Sequence, residues 1–383
     1  MSWYNGISLL GILGLIAIAW LLSENRKALR WKPVFAGLIL AFLIAGFLFS
    51  PIGGTTVFQW INAGVLALVN AAAAGARFLF GPLALGPGQE GSLGFILMFQ
   101  ALPTIVFFSA LISVLYYFGI MSFLVRLFAR VFSRLFRTSG AESLTTASNI
   151  FVGIESILTV KPHLEKMTRS ELHTVLTAGM ATVASNVLAL YVLTLQGQFQ
   201  EIAGHLVSAS LISAPAAIIF SKLLVPEREQ PETLGTHVHP HYEKEDSLIE
   251  AIISGSNSGM KLIFGIVALL LAVLGLVELI NLMLKSLSGW LSDGSTVISL
   301  EVILGYLFYP LAVLIGIAPD QALDAGRIIG ERIIVTEVAS YGHLATALAD
   351  GTLDKRSGII VSYALCGFAH FASLAIFAGG ITA

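Results

Sequence analysis

The chain has 383 residues, of which 56% are hydrophobic and only 11% are charged, and its formal net charge is −2. A soluble domain usually carries about 25% charged residues, so this composition predicts an integral membrane protein that crosses the bilayer several times. The slightly negative charge argues against nucleic acid as a partner. A single cysteine, Cys366, excludes an internal disulfide and a cysteine metal cluster.

Seven apolar runs are long enough to cross a bilayer, which takes roughly 20 residues. They cover residues 6–22, 33–49, 93–118, 171–194, 205–223, 260–283 and 357–379. The loop SENRKALRWK after the first run carries four basic residues, whereas SPIGGTT after the second carries none. Because short cytoplasmic loops are enriched in lysine and arginine, we expect a multi-pass protein of the inner or plasma membrane with its N-terminus outside.

Two segments are predicted to be interfacial helices. After the third run, arginines recur at steps of three or four residues among apolar ones, which is typical of a basic amphipathic helix on the inner membrane surface. These arginines are Arg126, Arg130, Arg134 and Arg137. Residues 57–80 are long enough to span, but their polar and charged residues favour the interface, because such groups are costly in hydrocarbon. Those residues are Gln59, Asn62, Asn70 and Arg77.

An ordered pattern of lone glutamate, polar break and small-residue span occurs twice. Glu155 lies in VGIESIL and Glu337 in IVTEVAS, and the breaks KMTRSE and LDKRSG follow them. The heptapeptides GMATVAS (179–185) and GFAHFAS (367–373) come next and agree at four positions. Repeated halves with interrupted apolar segments point to a secondary-transporter site near the bilayer midplane. We therefore expect repeats with two re-entrant hairpins, whose tips carry the glutamates.

Ionisable groups inside apolar segments are functional-site candidates, because an unpaired buried charge is costly. We expect one polar cavity lined by Glu155, Glu337, His370, Asn149, Thr182 and Ser373. The alternative for each glutamate and for the histidine is a structural hydrogen bond within the bundle. The alternative role for Thr182 and Ser373 is packing, or a hydrogen bond from the hydroxyl to a carbonyl of their own helix.

At these residues the chain resembles the concentrative nucleoside transporter family, over about Phe99 to Ile381. The likeness lies in FQALPTIVFFSALISVLYYFGIM, TSGAESLTTASNIFVG, KPHLEKMTRSELHTVLTAGMATVAS, SAPAAIIFSKLLVPE, LGYLFYPLAVLIGI and YALCGFAHFAS. It implies an all-α polytopic membrane protein with about seven transmembrane helices, two re-entrant hairpins, interfacial helices and inverted repeats. It further implies a homotrimer, scaffold and transport subdomains, and an elevator-type import of nucleosides coupled to sodium or protons, without enzymatic activity.

The family's cation site carries over well. The resemblance assigns the Asn149 side chain and the Val152 carbonyl at the first hairpin tip, and the Thr182 hydroxyl and the Val183 carbonyl in the following span. Threonine replaces the family's usual serine but keeps the hydroxyl. Hard oxygen ligands suit an alkali cation, so we expect sodium rather than protons as the coupling ion, and no other cofactor.

The first hairpin tip of the substrate site carries over only in part. The family has G-Q-T-E-A-P where this chain has GIESIL, and between FVG and KP this chain is one residue shorter. One deletion aligns Glu155 with the family glutamate that contacts the nucleobase. Ile154 stands beside it, the base-reading glutamine is lost, and Ser156 completes the tip.

The second tip and the last span also depart from the family pattern. Where the family has G-x-K-x-x-x-N-E-F-V-A, GERIIVTEVAS keeps Glu337, the implied acceptor of ribose hydroxyls, and has Thr336 for asparagine and Arg332 for lysine. The family's G-F-A-N-F-S-S becomes GFAHFAS, so the phenylalanine and the last serine match. His370 replaces the ribose-binding asparagine. The matching residues there are Phe368 and Ser373.

These departures leave two functions open. The first is a sodium-coupled nucleoside symporter. The alternative is a transporter of the same fold for a nucleobase or another nucleoside-like solute. Neutral histidine offers one donor and one acceptor where an asparagine amide offers two donors and one acceptor, and it titrates near neutral pH, so this alternative includes proton coupling.

Two other classes are weaker. Ser373, His370 and Glu337 name a hydrolase triad, but neither a GxSxG turn nor an HExxH pair occurs. A channel would show uptake without accumulation against a gradient.

The family usually continues beyond GGI with a basic loop and an eighth span, whereas this chain ends at Ala383.

The predicted organisation has five parts. Scaffold helices occupy residues 1–118, the first repeat 119–225, a polar linker with an amphipathic segment 226–259, a scaffold helix 260–295 and the second repeat 296–383. Each repeat contains an interfacial helix, a re-entrant hairpin and a substrate-site helix. The linker contains HVHPH, in which ordinary solvated histidines are expected rather than a metal site.

Overall fold

A computed structural model describes residues 3–50, 54–236, 238–241, 245–291, 299–371 and 373–374, without the side chains of residues 154, 155 and 287–291. Over these residues the fold is helical, and the only β-type pairing is an isolated bridge between Ser139 and Leu234. The chain divides into two compact units. The smaller unit comprises Met1–Ala17, Phe264–Leu365 and Ala369–Ala372, and the larger comprises Ile18–Ile263, Cys366–Phe368 and Ser373–Ala383.

Nine helices of the described residues lie in the larger unit before the polar linker, together with the end of α1 Trp3–Leu21. They are α2 Trp31–Leu48, α3 Gly54–Phe80, α4 Leu97–Gln100, α5 Pro103–Tyr117, α6 Ile120–Phe136, α7 Gly140–Val152, α8 Arg169–Ala181, α9 Ser185–Leu195 and α10 Ile202–Leu224. A 3₁₀ segment, Gly153–Lys166, joins α7 to α8. The most deeply buried core of this unit lies around α6, α7 and α10, where Val125, Leu144 and Ile218 pack together.

The smaller unit begins with most of α1 and continues from the second half of α11, Leu248–Leu291. Its other helices are α12 Leu300–Leu314, α13 Ala322–Ile334, α14 Glu337–Ala349 and α15 Lys355–Ala364. Glycines let α12 and α13 approach closely: a Cβ on Gly326 would lie 2.8 Å from the Gly305 carbonyl oxygen. Small residues at helix contacts are a common device for tight packing within membranes.

Seven helices among the described residues are long and apolar enough to cross a membrane. Six of them overlap the predicted spans: Trp3–Leu21, Trp31–Leu48, Leu97–Tyr117, Arg169–Leu195, Ile202–Leu224 and Leu248–Ser286. The seventh is Gly54–Ala84, which was predicted to be interfacial. The all-α, multi-pass fold class is therefore confirmed.

The helix α3 covers the segment predicted to be interfacial, is continuous for 27 residues, and has the length and hydropathy of a membrane span. Its placement in the interface stays a prediction. Asn62, however, is satisfied inside the protein, since its amide donates to the Gln200 carbonyl at 3.1 Å and accepts from the Gly204 N–H at 3.0 Å. A polar residue that bonds to a neighbouring helix does not need an aqueous surface.

The predicted span at residues 357–379 is not one continuous helix. The helix α15 ends at Ala364, and non-helical backbone follows through His370. The Phe368 N–H there donates to the Met180 carbonyl at 2.9 Å instead of to its own helix. The remainder of this predicted span, from residue 375, lies outside the described residues.

The arginine-rich segment forms the predicted amphipathic helix, α6. Met121, Val125, Phe132 and Phe136 are buried on one side, and the four arginines are exposed. Gly119 and Arg137, both with positive φ, bound the helix. Its position on the inner membrane surface stays a prediction.

The predicted boundary between the linker, 226–259, and the scaffold helix, 260–295, falls inside a single helix. This helix, α11, starts at Leu248 and runs for 44 residues. At about 1.5 Å per residue it is roughly 66 Å long, about twice the hydrocarbon thickness. Its first turns pack on α5 through glycines, since a Cβ on Gly259 would lie 2.8 Å from the Cα of Val106. The amphipathic segment and the following helix are thus a single element.

The polar breaks that follow the two glutamates are helix starts. KMTRSE contains Thr168, whose side chain accepts from the Glu171 N–H while the Glu171 carboxylate accepts from the Thr168 N–H, which is a capping box. LDKRSG contains Asp354, whose carboxylate accepts from the Ser357 N–H at 2.6 Å and caps α15. Both breaks therefore end the preceding segment by starting a new helix.

A buried lysine connects three elements of the larger unit. Lys222, near the end of α10, contacts the Glu142 carboxylate and donates to the Ser170 hydroxyl at 2.9 Å. Glu142 also accepts from the Ser139 N–H in the capping box of α7. The ammonium thereby ties the starts of α7 and α8 to the end of α10.

Replacing Lys222 by methionine should destabilise the fold by about 3–5 kcal/mol, because removal of one partner leaves the other charge buried and unpaired. The matched control is Lys166→Met, which removes the exposed ion pair with Glu232 and should cost no more than about 1 kcal/mol. Thermal unfolding of the purified protein in detergent measures both. Equal apparent melting temperatures for the two variants would contradict the structural role of Lys222.

Candidate functional site

The span Arg169–Leu195 is interrupted in its middle. The helix α8 ends at Ala181 and α9 begins at Ser185, and Thr182 and Ala184 between them have extended backbone. The last carbonyls of a helix have no partner in the following turn, and groups in the membrane interior must be satisfied by protein. Two other segments supply the donors: the Asn149 amide bonds the Ala178 carbonyl, and the Phe368 N–H bonds the Met180 carbonyl.

Gly153 brings the end of α7 against this interruption. It has φ 73° and ψ −139°, and its N–H donates to the Asn149 carbonyl. A Cβ at this position would lie 2.4 Å from the Ala184 Cβ. Glycine is therefore required here twice, by its backbone conformation and by the close approach of the two segments.

Asn149 and Thr182 form a fully buried pair. The Asn149 side-chain amide donates to the Thr182 hydroxyl. That hydroxyl in turn donates to the backbone carbonyl of Asn149 at 2.9 Å. Val152 and Val183 lie with Thr182 around a cavity of about 40 Å³. The structure thus brings together all four residues to which the resemblance assigns the cation site. Their oxygens are neutral, and the described residues hold no cluster of His, Cys, Asp or Glu that could bind a metal.

The structure describes only part of the first tip of the predicted substrate site. The side chains of Ile154 and Glu155 lie outside the described residues. Ser156 is fully buried, and its hydroxyl donates to the Asn149 side-chain oxygen at 3.2 Å. Ser156 therefore supports the Asn149–Thr182 pair.

Phe368 and Ser373 belong to the same unit as this cavity. Phe368 lies in its wall, and the Ser373 hydroxyl donates to the Phe368 carbonyl. Both heptapeptides of the internal repeat thus interrupt a helix, and the backbone of one bonds the backbone of the other. The repeat detected in the sequence corresponds to a structural feature.

The second tip, in the smaller unit, lies between α13 and α14. Thr336 has extended backbone and is buried, and Glu337 is the first residue of α14. A carboxylate at a helix N-terminus is stabilised by the helix dipole. On the α13 side, the Arg332 guanidinium donates to the Ala364 carbonyl at the end of α15.

Glu337 and His370 face each other in the interior of the smaller unit. The His370 Nε2 lies 3.4 Å from the Glu337 Oε2, and the two side chains are only 1% and 3% exposed. The structure therefore joins two of the ionisable residues singled out in the sequence. The buried carboxylate can accept hydrogen bonds from a polar ligand, and the imidazole beside it can donate one. An apolar helix contact can do neither.

Several site residues were not anticipated. Tyr191 and Asn186 line the cavity beside Thr182, and each is an isolated polar group in an apolar helix, which is the signal that could have identified them. In the smaller unit, His343 contacts Glu331 at 2.7 Å across the arms of the second hairpin. The Tyr341 hydroxyl donates to the Ser362 carbonyl at 3.0 Å and fixes α14 on α15.

Three family models match successive parts of the chain. Their descriptions are Na+ dependent nucleoside transporter N-terminus for residues 10–83, nucleoside recognition for residues 98–198, and Na+ dependent nucleoside transporter C-terminus for residues 205–383. Together these regions contain both hairpins and the interrupted span.

Curated relatives match over nearly the whole chain. An uncharacterized transporter YutK of Bacillus subtilis is 38% identical over 97% of this chain and 89% of its own length. The nucleoside permease NupC of Helicobacter pylori is 36% identical over 98% and 88%. Mouse solute carrier family 28 member 3 is 33% identical over 99% of this chain and 54% of its own length. These relatives are transporters and permeases, so the hydrolase alternative is excluded.

Solved structures agree with the fold. CNTnw in an inward-facing substrate-bound state has a TM-score of 0.89 and 34% identity, covering 99% of this chain and 89% of that one. A CNTnw variant in an outward-facing state also has a TM-score of 0.89, covering 100% and 90%. The chain is a multi-pass membrane transporter and belongs to the concentrative nucleoside transporter family.

Proposed function

We propose that this protein is a sodium-coupled symporter that imports nucleosides. The observation that carries the proposal is the interrupted span, where Val152 at the end of α7 and Thr182 and Val183 between α8 and α9 line one small cavity. Unwound backbone at membrane depth is a recurring way to hold a coupling ion in secondary transporters. The family description of a Na+ dependent nucleoside transporter supports the same assignment.

The proposed sodium ligands are the Asn149 side chain, the Thr182 hydroxyl and the Val152 and Val183 carbonyls. Neutral oxygens of this kind suit a hard monovalent cation better than a transition metal. Asn149 now directs its amide nitrogen at the Thr182 hydroxyl. Half a turn of the amide would present its oxygen to an ion and its nitrogen to Ser156. It would also release the Ala178 carbonyl that the amide now bonds, so ion binding would change the contacts to both the first tip and the end of α8.

The proposed nucleoside-binding residues are those that the family resemblance assigns. They are Glu155, Ile154, Ser156, Glu337, Thr336, Phe368, His370 and Ser373. Glu337 would accept hydrogen bonds from the ribose hydroxyls, and His370 beside it would supply the contact that asparagine makes elsewhere in the family. Phe368 would pack against an apolar part of the substrate.

The proposed transport motion is of the elevator type, in a homotrimer of the inner membrane. The hairpin helices α7, α13 and α14 have 13 residues each, which gives about 20 Å against roughly 30 Å of hydrocarbon. Helices this short would enter and leave the bilayer on the same side. Similarity to inward-facing and outward-facing structures supports alternating access.

A second candidate function is proton-coupled transport of a nucleobase or another nucleoside-like solute. The specific observation in its favour is the Glu337–His370 contact of 3.4 Å. A carboxylate–imidazole pair can hold a proton, whereas the carboxylate–amide pair of the family pattern cannot pass one between its members.

Uptake into proteoliposomes separates the two functions. With an inward sodium gradient, radiolabelled uridine and adenosine should accumulate above the external concentration, because ion entry supplies the free energy. An equal potassium gradient should give no accumulation. Uptake that needs an inward proton gradient, or is displaced only by nucleobases, would favour the second candidate. Equilibration without accumulation would contradict a symporter.

Thr182→Val should raise the sodium concentration for half-maximal uptake about tenfold or more, because it removes one oxygen ligand at nearly constant volume. The matched control is Thr182→Ser, which keeps the hydroxyl and should behave like the original protein. Measurement of uridine uptake against sodium concentration gives both values. An unchanged sodium dependence in Thr182→Val would remove this hydroxyl from the ion site.

Glu337→Gln should abolish nucleoside uptake while assembly is retained, because a neutral amide cannot replace a carboxylate that accepts from two hydroxyls. Glu331→Gln is the matched control in the same hairpin, since that carboxylate contacts His343 and not His370. Size-exclusion chromatography with light scattering reports assembly, and proteoliposome uptake reports transport. Loss of assembly in Glu337→Gln alone would make Glu337 a structural residue.

A further inference from the structure

A second and much larger cavity, of about 850 Å³, lies in the larger unit away from the interrupted span. It is enclosed by the start of α2, the end of α6, the start of α7 and the segment after α10. The basic side chains in its wall are Arg30, Lys32, Arg134, Arg137 and Lys222, and the carboxylates are Glu142, Glu227 and Glu229. We call it the basic cavity.

The carboxylates nearest the buried lysine are engaged by neighbouring groups. Glu142 contacts Lys222 and accepts from the Ser139 N–H. Glu227 accepts from the Thr168 hydroxyl at 2.8 Å and from two backbone N–H groups of its own loop. Much of their hydrogen-bonding capacity is therefore used within the protein, and Lys222 balances part of their charge.

Four basic side chains in the wall have no such partner. Arg30, Lys32, Arg134 and Arg137 are exposed, and no carboxylate among the described residues lies within ion-pair distance of them. They come from two different elements, the start of α2 and the end of α6. Two separate segments thus direct unpaired positive charge to one concave site.

Arg137 has an unusual backbone. Its φ is 54°, and it is the one non-glycine residue with positive φ in the described part of the chain. Such a conformation is strained for a residue that carries a Cβ, whereas glycine adopts it freely. Strain of this kind is often retained where a side chain serves a ligand.

Apolar stripes lead away from the basic cavity along both helices. On α2, Trp31, Phe35 and Ile39 are spaced four residues apart and are 44%, 59% and 59% exposed. On α6, residues 127, 131 and 135 form a second exposed apolar stripe of the same spacing. Trp31 and Leu135, which begin or end these stripes, also line the cavity. The site therefore combines cations with adjoining exposed apolar surface.

We propose that the basic cavity binds the phosphate headgroup of an anionic phospholipid, whose acyl chains lie along the stripes of α2 and α6. Arginine and lysine bind phosphate oxygens through charge-assisted hydrogen bonds, and basic pockets between transmembrane helices bind anionic headgroups. Free phosphate would use the cations but not the apolar stripes. The loop before α2 is predicted to be cytoplasmic, so the lipid belongs to the inner leaflet.

Native mass spectrometry of the detergent-solubilised protein tests the site, with cardiolipin or phosphatidylglycerol as the probe and phosphatidylcholine as the neutral comparison. Anionic lipid should bind saturably and phosphatidylcholine should not. Arg134→Gln combined with Arg137→Gln should weaken the binding of anionic lipid about tenfold or more, because each cation near an anionic headgroup contributes appreciably. Arg228→Gln is the matched control, since Arg228 lies in the adjoining loop but does not line the cavity.

A second double variant distinguishes loss of the lipid site from misfolding of the first variant. Arg30→Gln combined with Lys32→Gln changes the opposite wall and should weaken the binding of anionic lipid in the same way. Equal binding of anionic and neutral lipids would overturn the proposal, as would unchanged binding in both double variants. Inorganic phosphate is tested alone for thermal stabilisation. If phosphate at millimolar concentration stabilises the protein and displaces the lipid, the site binds free phosphate and the lipid assignment is wrong.

Discussion

The architecture around the candidate site depends on one constraint, the need to satisfy carbonyl groups freed where the span Arg169–Leu195 loses its helical hydrogen bonds. In hydrocarbon no water is available for them, so protein donors must be supplied. The Asn149 amide and the Phe368 N–H bond two of these carbonyls. This requirement places the end of α7 and the interrupted last segment against the same point. Gly153 makes the approach close enough.

The same interruption places polar side chains together. Asn149 and Thr182, which come from two segments, pair with each other beside the break in the span. Under the proposed function these residues supply oxygen ligands to the coupling ion. In the smaller unit, a helix start at Glu337 and non-helical backbone before His370 similarly place two polar side chains together in the interior. Interrupted helices thus place polar groups in the protein interior, where other segments of the chain satisfy them.

Outside this site, charge is organised by a different principle. Lys222 is buried, and it holds together three helix ends through Glu142 and Ser170. The arginines of α6 are exposed, and those at its end have no carboxylate partner among the described residues. The charges of Lys222 and Glu142 are therefore paired and structural. Unpaired positive charge is concentrated at one concave surface with apolar neighbours, where a ligand of opposite charge would complete it.

Much of the fold, and the contact between two residues of the candidate cation site, was predictable from the residues. Apolar runs identified six of the spans, because a bilayer imposes a minimum apolar length. The arginine spacing predicted α6, and family motifs selected Asn149 and Thr182, which the structure places in contact. The remainder depends on contacts between distant segments. The sequence cannot show that Asn62, in residues 57–80, bonds Gln200 and Gly204. The last run was taken as continuous because its interruption depends on a bond to Met180 in another segment.

The sequence by itself determined the class of the molecule, the number of apolar segments, the repeated pattern and the identity of the polar residues inside them. These follow from composition and local spacing, which each segment carries alone. Only the tertiary structure decided which polar residues meet: Asn149 with Thr182, Glu337 with His370, and Lys222 with Glu142. Each of these pairs joins residues at least 33 positions apart. Their contact depends on helix packing, since no local pattern records which distant donor will satisfy a freed carbonyl or a buried charge.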